Sequence, residues 1–214
     1  MELGHSRGRI HVVDDDPSFL TAMERGLQRA GYDVVTYPSA LHLLANFPTE
    51  SVPSCIILDV RIPGFDGPAM QQRLAELGST MPIIFLTGYA DTRTVVQTLK
   101  AGALDFLTKP VASDDLLHTV EKALRLHQAL LDQRGTLDSI RARLATLTPR
   151  ERQVFELIIR GITNKKIGLA LDCTERTVKA HRLKVMEKMQ VQSLAELVSL
   201  AERVGLGSAG GSTA

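Results

Sequence analysis

An α/β fold built on a doubly wound parallel sheet, followed by a smaller all-α domain, is predicted by three observations. Short β-branched apolar runs alternate with amphipathic stretches from residue 9 to about 125, the pattern of successive βα units. Four of these runs end in a polar residue: Asp14-Asp15 after Ile10-His11-Val12-Val13, Asp59 after Ile56-Ile57-Leu58, Thr87 after Ile83-Ile84-Phe85-Leu86, and Lys109 after Phe106-Leu107-Thr108. Beyond Leu147 the strand pattern stops, and short capped amphipathic segments take over.

Five βα units fit the first part, with strands near 9–14, 33–37, 55–59, 82–87 and 104–108. Asp16 can cap and Pro17 can occupy the first position of a helix closing at Gly31; Asp91 can cap one ending near Gly102; Ser113 with Asp114 and Asp115 opens the last. Residues 114–146 hold few breakers beyond Gly135, which reads as a helix extended into a helical linker, or as a helix followed by solvated coil. Thr148-Pro149-Arg150-Glu151 then forms a capping box, and four short helices follow: Asn164 begins the second, Thr174 caps the third, and Ser193 with Glu196 opens a fourth that closes at Gly205. The expected organisation is a disordered N-terminus (1–8), an α/β domain (9–126), a helical linker (127–146), a helical domain (147–205) and a disordered Gly/Ser/Ala-rich tail (206–214).

Composition narrows the function. With 44% apolar residues the chain buries ordinary cores, and no run approaches the ~18 residues of a membrane span. No secretory segment opens the sequence, so a cytoplasmic location without membrane partners is expected. Two cysteines, Cys55 and Cys173, make neither a disulfide framework nor a zinc set. The net charge of +1 hides an asymmetry: residues 1–126 carry −4 and residues 127–214 carry +5, as expected of an acidic regulatory module joined to a nucleic-acid-binding one.

Parallel strands would carry their terminal side chains into one pocket, since sites of open α/β sheets lie at the carboxyl ends of the strands. Asp14, Asp15 and Asp59 together would repel one another without a cation. Mg2+, or the similar Mn2+, resolves this, with Asp15 and Asp59 as direct ligands, Asp14 through water and the Arg61 carbonyl as a further oxygen. Asp59 is then placed as a nucleophile toward a phosphoryl group, Lys109 neutralises its oxygens, and the Thr87 hydroxyl donates a hydrogen bond.

Val13-Asp14-Asp15-Asp16, Leu58-Asp59-Val60-Arg61-Ile62-Pro63-Gly64-Phe65-Asp66-Gly67, Leu86-Thr87-Gly88 and the run from Gly102 to Lys109-Pro110 resemble the receiver domain of two-component response regulators. The resemblance implies a flavodoxin-like sheet of order 2-1-3-4-5, an aspartyl-phosphate on Asp59, Asp14 and Asp15 in the magnesium site, and a cis Lys109-Pro110 peptide. It also implies a switch in which Thr87 moves onto the phosphoryl group and Phe106 turns inward behind it. At the variable positions flanking the pocket, Arg61 and Tyr89 are expected to hinder in-line water and lengthen the aspartyl-phosphate lifetime. One alternative is a phosphohydrolase with an aspartate nucleophile, but such enzymes carry a second Asp where this chain has Arg61, so a non-enzyme is expected; another is a phosphorylation-independent DNA-binding or interaction protein with a vestigial receiver, against which the intact Asp14, Asp15, Asp59, Thr87 and Lys109 argue.

In the C-terminal module, Val178, Val185 and Met189 share one side of the third helix. Arg176, Lys179, Ala180, Leu183 and Lys184 face the other, cations flanking small apolar groups, able to meet phosphates and base edges. Helix N-termini at Thr163-Asn164 and Thr174 can hold phosphates through backbone N–H groups. Leu147 to Val154, Gly161 to Gly168 and Thr174 to Met186 resemble the LuxR-type helix-turn-helix domain, and both halves together resemble the NarL/FixJ class, leaning to the FixJ branch. The resemblance places Lys179, Ala180 and Leu183 at base-contacting positions, with Arg176, Thr177, Arg182, Lys165 and Lys166 as candidates for phosphates. The partners it implies are a sensor histidine kinase, double-stranded promoter DNA, RNA polymerase, and a second copy of the chain once phosphorylated.

Overall fold

Alternation in the sequence becomes a five-stranded parallel sheet in the computed structural model, which describes residues 7–62, 65–88 and 103–207. Contacts divide the chain into two units, Met1–Asp132 and Gln133–Ala214. In chain order the strands are β1 (Arg9–Val13), β2 (Asp33–Tyr37), β3 (Ser54–Asp59), the two-residue strands β4 (Arg61–Ile62) and β5 (Phe65–Asp66), β6 (Ile83–Thr87) and β7 (Asp105–Thr108). The sheet runs β2-β1-β3-β6-β7, the expected 2-1-3-4-5 order of its five parallel strands. β4 and β5 form a separate antiparallel ladder just after Asp59; runs so short have no periodicity to announce them.

Alternate residues of each strand point to opposite faces. Ile10, Val12, Ile57 and Ile84 pack against α1 (Pro17–Arg29) through Leu20, Met23 and Leu27, and against the start of a long helix through Leu116, Val120 and Leu124. Val13, Ile56, Leu58 and Phe85 pack on the other face against α2 (Ala40–Ala45) and α3 (Gly67–Glu76), through Leu43, Met70 and Leu74. Both faces being covered explains why the strands read as apolar runs instead of strict alternation. Asp16 accepts a hydrogen bond from the Ser18 N–H at 2.8 Å and Pro17 takes the first helical turn, so α1 starts where its caps predict. Gly31, at φ +90°, turns the chain from α1 into β2.

The long helix, α4 (Ser113–Ala145), continues through Gly135, so the stretch after residue 126 is helix and not coil. Its first part belongs to the first unit and its last part to the second. In the second unit Ile140 and Leu144 join the core of α5 (Pro149–Ile158), α6 (Asn164–Ala170), α7 (Glu175–Met189) and α8 (Leu194–Arg203). Val154, Phe155, Ile158, Ile167, Val178, Val185 and Met189 are buried at its centre.

Three expected boundaries move. β1 ends at Val13, leaving Asp14 just past the ladder. Arg7 and Gly8, expected in a disordered stretch, are tied down: the Arg7 N–H donates to the Gly31 carbonyl at 3.2 Å and the Asp33 N–H to the Gly8 carbonyl at 3.0 Å. Leu206, expected in the tail, donates its N–H to the Ala201 carbonyl at 2.8 Å as the helix end closes. The helix expected from Asp91 to Gly102 lies outside the described residues.

Candidate functional site

Parallel register carries the strand ends to one edge of the sheet, where β1, β3, β6 and β7 deliver Asp14, Asp59, Thr87 and Lys109. The Lys109 ammonium donates to Asp14 Oδ2 and to Asp59 Oδ2, each at 2.5 Å, across separations of 95 and 50 residues. The Lys109-Pro110 peptide is cis, as the resemblance implies, and the Lys109 N–H donates to the Thr87 carbonyl at 2.7 Å. Asp14 is 1% exposed and Thr87 2%, while the side chains of Asp59 and Lys109 retain 13% and 21% of their surface, so the pocket opens on the Asp59 side.

Burial pushes the Asp14 carboxyl above its ordinary range even though the Lys109 ammonium and the Asp16 N–H, the latter at 3.0 Å from Oδ1, pull it down. For Lys109 burial works downward, and the bonds to Asp14 and Asp59 outweigh it, so the ammonium is held above its usual pKa. A charged lysine bridging two carboxylates is stable only while all three stay together.

Lys109 bridges Asp14 and Asp59, the Asp15 side chain is exposed, and among the described residues no three His, Cys, Asp or Glu side chains converge. Phe106 on β7 is half-buried, packed beside the Phe85 layer. Arg61 lies in β4; its side chain and Tyr89 fall outside the described residues, as do Pro63 and Gly64. One pocket residue goes unnoticed in the sequence: Phe19 of α1, whose ring centroid lies 4.0 Å from Lys109 Nζ. No spacing rule marks it, since an aromatic in the first turn of a helix reads as core.

In the second unit α6 and α7 meet at a tight turn through Asp172, at φ 49°. A Cβ on Gly168 would stand 2.7 Å from the Cys173 carbonyl oxygen, so only glycine permits this approach. The Thr174 hydroxyl caps α7, accepting the Thr177 N–H at 3.1 Å, and the two threonine hydroxyls lie 2.8 Å apart. Lys165, Lys166, Arg176, Thr177, Lys179, Ala180, Leu183 and Lys184 are exposed together along α6 and α7, Leu183 at 68%. Lys179 pairs with Glu175 at 3.4 Å and Lys184 with Glu187 at 2.9 Å. Arg182 is half-buried and reaches Asn164 Oδ1 at 3.4 Å, which joins α7 to the start of α6. At the far end of α7, Lys188 donates to Glu151 at 2.6 Å, fastening this helix to the capping box of α5.

Comparison with known proteins agrees with both halves. Residues 10–121 match the response regulator receiver domain family, and residues 145–201 match the LuxR family of bacterial regulatory proteins. The chain is 39% identical to the transcriptional regulatory protein FixJ of Bradyrhizobium diazoefficiens, over 94% of this chain and 98% of that protein. It is also 39% identical to the response regulator protein TmoT of Ectopseudomonas mendocina, over 91% of this chain and 88% of the other. Among solved structures, the response regulator StyR aligns at a TM-score of 0.81 with 38% identity, over 91% of this chain and 98% of that one. With its Asp14, Asp59 and Lys109 pocket at the sheet edge and a basic helix-turn-helix surface behind it in sequence, the chain belongs to the transcription-regulating response regulators of two-component systems, a receiver domain followed by a LuxR-family DNA-binding domain.

Proposed function

We propose that phosphorylation of Asp59 by a sensor histidine kinase switches this chain to a dimer that binds promoter DNA through α7. The observation that carries the reading is the ammonium of Lys109 shared between Asp14 and Asp59 at the strand ends, 2.5 Å from each. In the transfer, an Asp59 carboxylate oxygen bonds to phosphorus as the P–N bond of a phosphohistidine breaks, and the electron pair leaves on the imidazole nitrogen. Lys109 neutralises the phosphoryl oxygens and the Thr87 hydroxyl donates to one of them, with Phe106 following Thr87 inward.

Receiver domains generally bind Mg2+ at the phosphorylation site. The donors here suit a hard divalent ion: they are oxygens only, two of them carboxylates at one ammonium. Asp15, Asp59 and the Arg61 carbonyl would hold the ion, with Asp14 acting through water. When bound, it withdraws charge from the phosphoryl oxygens during transfer.

On the DNA side, Lys179, Ala180 and Leu183 read bases, while Lys165, Lys166, Thr174, Arg176, Thr177, Arg182 and Lys184 serve the backbone. The Lys179 and Lys184 ion pairs are exposed and worth little, so either lysine exchanges its glutamate for a phosphate at small cost. The chain acts as a regulator of transcription, engaging RNA polymerase at the promoter, and not as an enzyme on a separate substrate. A cytoplasmic location follows from these partners, and among the described residues no helix is long and apolar enough to cross a membrane. The receiver spans 9–126, the linker 127–146 and the DNA-binding domain 147–205. Intact mass after incubation with acetyl phosphate and Mg2+ tests the reading: one added phosphoryl group on the wild type and none on Asp59→Asn is the expected result. An equal adduct on the variant, or none on the folded wild type, would contradict it.

A further inference from the structure

We propose that Phe19 is a positioning residue for phosphoryl transfer at Asp59, its ring face holding the Lys109 ammonium in the pocket. The inference rests on the reading of Asp59 as phosphoacceptor and adds a residue to it. Asp16 and Pro17 fix where α1 begins, and Phe19 therefore sits in the first turn, beside the strand ends. The ring packs against the core layer that includes Leu20 and Met23, so it is held in place from behind. Its centroid is 4.0 Å from Lys109 Nζ, inside the ~6 Å range over which the negative face of an aromatic ring attracts a cation. That attraction strengthens with desolvation, and the Lys109 side chain is only 21% exposed.

The ring does something the carboxylates do not. Lys109 has a flexible four-carbon stem, and at rest Asp14 and Asp59 hold its head in place. When Asp59 Oδ bonds to phosphorus and the donor's bond to phosphorus breaks, the negative charge of Asp59 passes to the phosphoryl oxygens, and one of the two resting anchors is lost. Attraction to the ring is indifferent to which anion the ammonium faces. Phe19 thus restrains Nζ through the exchange, keeping it at the position where the new charge develops.

The test uses the full chain with Asp59→Asn as the no-adduct control. Phosphorylation by acetyl phosphate with Mg2+ is timed by intact mass for the wild type, for Phe19→Leu, and for chains carrying mono-, di- and trifluorophenylalanine at position 19. In parallel, the Lys109 side-chain methylene shifts are read by NMR. We expect Phe19→Leu to slow the reaction about fivefold, the factor that ~1 kcal/mol of cation–π attraction supplies. The rate should fall stepwise with fluorination, which drains the ring face while keeping its shape, and the ring-current displacement of the Lys109 methylenes should vanish in Phe19→Leu. If Phe19→Leu fails to fold, the fluorinated series alone decides. A flat fluorine series, whatever the leucine variant does, overturns the proposal and leaves Asp59 untouched, whereas a wild type that takes up no phosphoryl group overturns the reading of Asp59 itself.

Discussion

Replacing Glu151 by alanine tests whether α7 is fastened to its own domain by one carboxylate. Glu151 is 6% exposed; it accepts from Lys188 Nζ at 2.6 Å and from the Thr148 N–H at 2.8 Å, while Lys188 also donates to the Thr146 carbonyl at 3.0 Å. The Lys188 bond first and the Thr148 N–H next hold its pKa at about 2, against an ordinary 4.5, with burial opposing. At ~1.4 kcal/mol per pKa unit the full shift corresponds to at most about 3 kcal/mol. Lys188 keeps 31% of its side-chain surface, so screening reduces this to about 1–2 kcal/mol. The unfolded state binds the proton more tightly than the folded one. This stability is therefore complete above pH 4.5 and is lost as pH falls through about 2. The Thr148 N–H bond, the reciprocal half of the capping box, is already contained in that figure. Amide hydrogen exchange in the full chain should show protection in α5 and the last turns of α7 falling by about 1–2 kcal/mol at pH 7 in Glu151→Ala, with exchange across the sheet unchanged. Protection unchanged within ~0.5 kcal/mol would refute the fastening.

Three further outcomes follow from the same structure. Gly168→Ala drives a methyl to 2.7 Å from the Cys173 carbonyl and should cost about 1–3 kcal/mol in the second unit while weakening DNA binding, as urea titration and fluorescence anisotropy would show; an unchanged variant would mean the turn yields freely. His11, 1% exposed, has its pKa lowered from 6.5 to about 4, by burial first and Arg9 second, with Asp33 opposing. The folded protein thus loses up to about 3 kcal/mol between pH 6.5 and 4, a slope that His11→Val should flatten in urea midpoints measured across that range. Lys166→Ala and Arg176→Ala should each reduce the salt slope of DNA affinity by about 1 without altering sequence preference, whereas Leu183→Ala should alter preference and leave the slope in place.

Why the sequence foretells so much of the first unit, and less of the rest, follows from the range of each signal. Asp14, Asp59, Thr87 and Lys109 close apolar runs, and parallel register brings run ends together whatever the details of packing. Asp16, Thr148, Thr174 and Ser193 act on amides two or three residues away, so their helix starts are visible in local sequence. Contacts made across the chain leave no such trace. His127, buried in α4, accepts the Ser54 N–H at 2.8 Å across 73 residues and lies 3.4 Å from Glu50, yet in sequence it is an isolated histidine. Gly168 reads as a tolerated helical glycine until the Cys173 carbonyl is seen above it. The carboxylates were legible as a set of residues but not as an arrangement, since only the structure shows Lys109 bridging Asp14 and Asp59 and Asp15 exposed. Cys55 reads as an inert packing thiol, and burial pushes its pKa to about 12.

The most direct test of the account is the affinity of the full chain for duplexes selected from a random pool, measured with and without acetyl phosphate and Mg2+, for wild type and Asp59→Asn, with intact mass recording the adduct. Phosphorylated wild type should bind about 5- to 150-fold more tightly than the unphosphorylated chain, the usual span of coupling between two sites, and Asp59→Asn should not respond. Equal affinity for a duplex before and after verified phosphorylation would contradict the account and leave a DNA-binding protein whose receiver does not govern it.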